Sequence, residues 1–170
     1  MTLLQQRYEE NFGQESTVEI MLQKILIATD GSKHSESASE AGIEMARLFQ
    51  GSVTALNVVD PSKVYGPMGD MLSSKLANEL IEGVRSSLRS QGEAAARRVE
   101  ERARLAGVLA RSLVIEGNPA DEIMKLAREE NMDLIVLGSI GVTGLEKFLL
   151  GSVAEKVVRN SKVPVLVVRA

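Results

Sequence analysis

Five short apolar runs alternate with four longer segments of helical periodicity, and this alternation limits the possible folds more than any other feature. The runs are Lys24-Ile25-Leu26-Ile27-Ala28-Thr29, Ser52 to Val59, Ala110 to Glu116, Asp133-Leu134-Ile135-Val136-Leu137, and Val163-Pro164-Val165-Leu166-Val167-Val168. The first and fourth are apolar almost throughout and too short for helices, so they read as central strands buried on both faces. Arg111 places the third nearer an edge. Pro164 cannot donate to a ladder and belongs at a strand start or on an edge.

Between the runs, Ala38, Ala41, Gly42, Met45, Ala46 and Phe49 recur at helical spacing, with Gly51 as the expected stop. Leu76, Leu80, Val84 and Leu88 form an i, i+4 stripe. Gly92 is expected to break it, and Ala95, Val99, Ala103 and Ala106 resume it. Glu93 with Arg97, and Glu100 with Arg104, read as surface pairs on a solvated face. Asn118 caps the third helix, with Pro119 at its first position and Asp121 favouring its positive end; Ile123, Leu126 and Ala127 form its buried side. A fourth helix runs from Val153 to about Asn160. The order βαβαβαβαβ, joined by right-handed crossovers, predicts an α/β fold: a parallel sheet with helices on both faces.

Such sheets bind ligands beyond the carboxyl ends of their strands, where the strand order reverses. If the first three strands wind one way and the last two the other, strands one and four flank that point. They end in Asp30-Gly31-Ser32 and in Gly138-Ser139. The second turn opens a glycine-bearing loop that runs to Gly151-Ser152, where Ser152-Val153-Ala154-Glu155 reads as a capping box. Backbone N–H groups and the dipole at a helix N-terminus attract anions, and Gly138, Gly141 and Gly151 would admit a phosphate or ribose close to the main chain. Ser139 and Ser152 add hydroxyl donors. The loop is therefore read as a phosphate cradle. It lacks the Gly-Lys-Ser/Thr of a P-loop, and Gly138, Gly141 and Gly144 do not have the dinucleotide-fingerprint spacing. The only histidine, His34, gives no catalytic triad.

Composition excludes other classes. The formal net charge is -3 over 170 residues, aromatics make up 3% and there is no Trp, which argues against a nucleic-acid partner. There is no Cys, so thiolate metal sites and disulfides are excluded, in keeping with a reducing cytoplasm. No apolar stretch reaches membrane-span length, and residues 1–20 lack a signal-peptide centre. Length fits one domain, residues 21–170. Residues 1–20 form an arm, either flexible or a short helix through Leu3, Leu4, Tyr8 and Phe12 packed on a partner subunit. The loop from Ser62 to Gly69, with Gly66, Pro67 and Gly69, is expected to be mobile.

Gly138-x-x-Gly141, nine residues, then Gly151-Ser152 resembles the nucleotide-binding signature of the universal stress protein family. The resemblance spans residues 23–170. It includes Lys24 to Ser32, Leu56-Asn57-Val58-Val59-Asp60, Gly117-Asn118-Pro119-Ala120 and Val163 to Arg169. It implies a Rossmann-like, adenine nucleotide alpha hydrolase-like fold with strand order 3-2-1-4-5, usually dimeric, and ATP or AMP/ADP as ligand. Carried over by position, Ala28, Asp30 and Val58 line the adenine and ribose site, and Gly138 and Ser139 border the ribose. Gly141, Gly151, Ser152 and Val153 hold the phosphates, with Thr143 assisting, and Val142, Gly144 and Ala154 complete the nucleotide-binding set. The position of Ile140 is often basic or His in the family and that of Val142 often basic; Lys147 either supplies a charge back or points to solvent.

Taken together, these readings describe a cytoplasmic stress-response regulator that binds ATP, signals to an unknown protein partner and turns over slowly at most. Mg²⁺ or Mn²⁺ is expected to be held mainly by the phosphates. The alternatives are a true ATPase, for which Asp30 is the only candidate base, and an adaptor without nucleotide. A homodimer is expected through strand 163–168, because a bare apolar edge invites pairing.

Overall fold

Isoleucine, leucine and valine alternate direction along each strand, and the two sets of side chains make two cores. The computed structural model describes residues 22–62, 75–140 and 150–169. The elements are β1 (Lys24–Ala28), α1 (Lys33–Leu48), β2 (Ser52–Val59), α2 (Lys75–Leu105), β3 (Leu109–Glu116), α3 (Pro119–Glu129), β4 (Leu134–Gly138), α4 (Ser152–Asn160) and β5 (Val165–Val168). All strand pairs are parallel, in the order β3-β2-β1-β4-β5. Ile25, Ile27, Val53, Ala55, Leu134 and Val136 face α1 and α2. Leu26, Leu56, Ile135 and Leu137 face α3 and α4. Every large side chain at the centre of β1 is fully buried, as expected for a sheet covered on both sides. Among the described residues no helix is long and apolar enough to cross a membrane.

Helix ends explain the sharp turns back into the sheet. In α1 the left-handed residue is Gln50 (φ 53°), not Gly51. Gln50 N–H donates to Arg47 O and Gly51 N–H to Ala46 O, the paired bonds of a Schellman stop. Gly51 is needed for another reason: a Cβ there would lie 2.6 Å from Leu22 O and 2.7 Å from Gln23 O. Asn131 (φ 52°) and Gly107 (φ 78°) close α3 and α2 in the same way.

The long helix differs most from expectation. Gly92 does not break it, and α2 runs 31 residues without interruption. A glycine there costs about 1 kcal/mol relative to alanine. The compensation is packing, since Gly92 is buried and a Cβ on it would collide with the Asn57 carboxamide. The Leu80–Val84 stripe does not enter the core: these residues are 51% and 42% exposed, and Leu88 is half-buried. The buried side passes instead through Ile81, Gly92, Ala95, Ala96, Val99 and Ala103, and Ala106 is exposed. Glu93 pairs with Arg89 rather than Arg97, whereas Glu100 pairs with Arg104 as expected.

Candidate functional site

The turn after β1 is fixed by short-range polar bonds. Asp30 is exposed, and its Oδ1 accepts from Ser32 N–H at 3.0 Å, an Asx-turn. Gly31 holds φ +77°, a conformation other residues rarely adopt. Ser32 caps α1, its Oγ accepting from Ser35 N–H. Ser35 Oγ donates back to Ser32 O at 2.9 Å and lies 3.1 Å from Thr29 Oγ1. From β2, Asn57 Nδ2 donates to Thr29 O at 2.8 Å.

The turn after β4 is built differently. Gly138 was expected to admit ligand, yet its open side faces the protein. A Cβ there would lie 2.8 Å from His34 C and 2.9 Å from His34 O, so the glycine lets the first turn of α1 pack on β4. Ser139, 2% exposed, spends its main chain on structure: its N–H donates to Val168 O, and its carbonyl accepts from Gly151 N–H, both at 2.8 Å. The second bond pins the two ends of the glycine loop together, one residue past β4 and one before α4.

The start of α4 corrects the capping-box expectation. The N-cap is Gly151, without a side-chain cap, and Ser152 is already the first helical residue. Glu155 pairs forward with Arg159 instead of reaching back. Gly151 has φ −60° and ψ 151°, which any residue adopts, so conformation does not require glycine here. The N–H groups of Ser152, Val153 and Ala154 have no acceptor within the helix, because first-turn amides never do.

Of the expected site residues, the structure gathers Ala28, Val58, Val153 and Ala154 on the α3–α4 face of the sheet, the first three half-buried and Ala154 buried. Asp30, Gly138, Ser139, Gly151 and Ser152 stand at the same carboxyl edge, since β1 and β4 pair with Ala28 opposite Leu137. Gly141, Val142, Thr143 and Gly144 lie outside the described residues, as do Lys147, the N-terminal arm and most of the loop from Ser62 to Gly69. The sequence assigns no role at the site to Thr29, Ser35 or Asn57. At Asn57 the available signal was a polar residue interrupting the apolar run from Ala55 to Val59. Among the described residues no group of three or more His, Asp or Glu converges as a metal site. Farther along this edge Glu116 closes β3. Its hydrogen bond to the Arg85 guanidinium holds its carboxyl below the usual carboxylate range. A shallow cleft of about 350 Å³ lined by Met124, Arg128, Met132 and Lys162 lies at the opposite, amino edge and does not join this site.

Fold and site together define a parallel α/β protein whose two crevice turns meet where strand order reverses, the usual ligand position in this architecture. Residues 21–169 match the Universal stress protein family, and the chain belongs to that family. It is 41% identical over 151 residues to universal stress protein MJ0531 of Methanocaldococcus jannaschii, covering 89% of this chain and 84% of that protein. The fold matches that of universal stress protein UspA from Lactobacillus plantarum (TM-score 0.74, 22% identity, 87% of this chain and 98% of that one). A universal stress protein solved in complex with cAMP aligns with TM-score 0.60 and 25% identity over 88% of this chain and 98% of its own.

Proposed function

We propose that the carboxyl edge binds an adenine nucleotide, ATP with Mg²⁺ or Mn²⁺ carried mainly by its phosphates, and that the protein is a regulatory binding module. The observation that carries this reading is Gly151. A serine, threonine or aspartate at this N-cap would satisfy one of the helix's open amides and stabilise the fold. Glycine leaves Ser152, Val153 and Ala154 to offer their N–H groups to an external anion, and its own N–H is fixed by Ser139. Ala28 and Val58 supply an apolar wall suited to a base, and Asp30 a carboxylate for ribose hydroxyls. The cAMP-bound relative supports an adenine nucleotide as the ligand class.

Regulation is favoured over rapid hydrolysis because Asp30 is committed to its own turn and would be engaged by ribose. Soaking the purified protein in ATP and Mg²⁺, then assaying the denatured supernatant for ATP and ADP, tests this reading. It predicts stoichiometric nucleotide released mostly as ATP. Mainly ADP would favour the ATPase, and none would favour an adaptor.

The working unit in this reading is a homodimer through β5. Pro164 O and Val168 O accept from Ile135 and Ser139, so alternate residues turn toward β4. By the same alternation Val165 and Val167 turn their main-chain groups outward, along an edge that no described strand covers. A two-fold axis would let that edge pair with its own copy.

A further inference from the structure

We propose that Asn57 is a positioning residue for the nucleotide site, holding the Asp30 turn in place from β2, and that position 92 of α2 is glycine to make room for it. This rests on the nucleotide reading above. Asn57 is 8% exposed, sits one residue before Val58, and is the one polar side chain in the second half of β2, Ala55 to Val59. Its amide crosses to the neighbouring strand and donates to Thr29 O at 2.8 Å, while Thr29 N–H donates to Leu56 O at 2.9 Å. Two consecutive residues of β2 therefore hold both main-chain groups of Thr29, the residue from which Asp30 departs. Thr29 is itself 7% exposed, and its hydroxyl accepts from Gly31 N–H at 3.2 Å. The bonds run from Asn57 through Thr29 into the turn that presents the Asp30 carboxylate.

α2 closes the back of this arrangement. The Asn57 carboxamide lies against Gly92, where any Cβ would displace it. One turn farther along, Ala95 and Arg98 lie against Gly31: a Cβ on that glycine would be 3.4 Å from Ala95 Cβ and 3.3 Å from Arg98 Nη2. The turn is thus seated between β2 and α2, and a side chain at position 92 acts on Asp30 through Asn57. A glycine that weakens the middle of a long helix gains its reason at the ligand site.

The test uses full-length wild type, Asn57→Asp, Asn57→Ser, Gly92→Ala and the Gly92→Ala/Asn57→Ser double variant. Each is titrated with Mg²⁺·ATP by calorimetry and unfolded in urea. Asn57→Asp keeps the shape but turns an acceptor toward the Thr29 carbonyl, and Asn57→Ser removes the reach. Both should weaken ATP binding about tenfold or more, as should Gly92→Ala, which pushes the carboxamide aside. The double variant should bind as weakly as Asn57→Ser alone, yet resist urea better than it, because alanine replaces helical glycine with no carboxamide in the way. Affinity and stability then separate, whereas a purely structural role would make affinity follow the urea midpoint. Wild-type affinity in Asn57→Ser, or affinity regained with stability in the double variant, overturns the proposal. A wild type that binds no ATP overturns the nucleotide reading and this proposal together.

Discussion

Replacing Gly138 with alanine should damage the site by damaging the packing beneath it. The added methyl would sit 2.8 Å from His34 C, 2.9 Å from His34 O and 3.1 Å from Ser35 N. All three are main-chain atoms in the first turn of α1, so no side chain can swing aside. The strand is equally constrained, because β4 pairs with both β1 and β5. Forced overpacking of this kind costs about 1–3 kcal/mol. For a chain of this size, that lowers Tm by about 2–12 °C. The helix can relax only by moving His34 and Ser35, which disturbs the Ser32–Ser35 cap and the Thr29 contact. Nucleotide affinity should therefore fall together with stability. Thermal melts by circular dichroism, with and without ATP, provide the assay. A variant melting within about 1 °C of wild type would refute the packing role, and reduced binding without loss of stability would return Gly138 to direct ligand contact.

Other consequences are equally measurable. Light scattering should find wild type as a dimer and Val167→Pro, which removes an outward-turned donor while leaving the β4 ladder intact, as a monomer; an unchanged mass in the variant places the interface elsewhere. ATP hydrolysis should stay below about one turnover per minute, against about 10 per second for a typical enzyme, and a typical rate abolished by Asp30→Asn would contradict the regulatory reading. The lowered pKa of Glu116 arises first from the Arg85 hydrogen bond, so its stabilisation is complete above the unfolded value of about 4.3 and fades as pH falls through the folded value. Urea midpoints of wild type should therefore drop more steeply in acid than those of Glu116→Gln, and parallel curves would exclude this linkage.

Much of this was legible in the sequence. The strands declared themselves because a doubly covered sheet needs unbroken apolar runs, and β2 has the expected bounds. Asn118 and Pro119 announced α3 through local chemistry that tertiary packing did not override. Misreadings arose where glycine served a distant partner. Gly92 resembles a helix break until Asn57 is seen against it, and Gly51 resembles a helix stop until Leu22 O is found beside it. Ile81 and Leu80 are adjacent in sequence, and only the approach of α2 to the sheet decides which is buried. At the site, the glycine spacing marked where β4 ends and α4 begins but not the packing at those ends. Gly138 packs on α1, Ser139 pins the loop, and the N-cap falls one residue earlier than the Ser152 pattern suggested. The network beneath Asp30 depends on Thr29 just past β1 and on residues from α1, β2 and α2, a convergence with no sequence spacing to reveal it.

The central claim is that the open N-terminus of α4 receives nucleotide phosphate. Gly151→Asp tests it most directly, because the backbone there suits any residue and an aspartate would both cap the helix and repel phosphate. Thermal unfolding of wild type and variant would be compared with and without Mg²⁺·ATP. Ligand at 100 times its dissociation constant should stabilise wild type by about 2.7 kcal/mol. The variant should melt at or slightly above the ligand-free wild type and gain nothing from ATP. Equal stabilisation of both proteins by ATP would show that the phosphates bind elsewhere and would contradict the account.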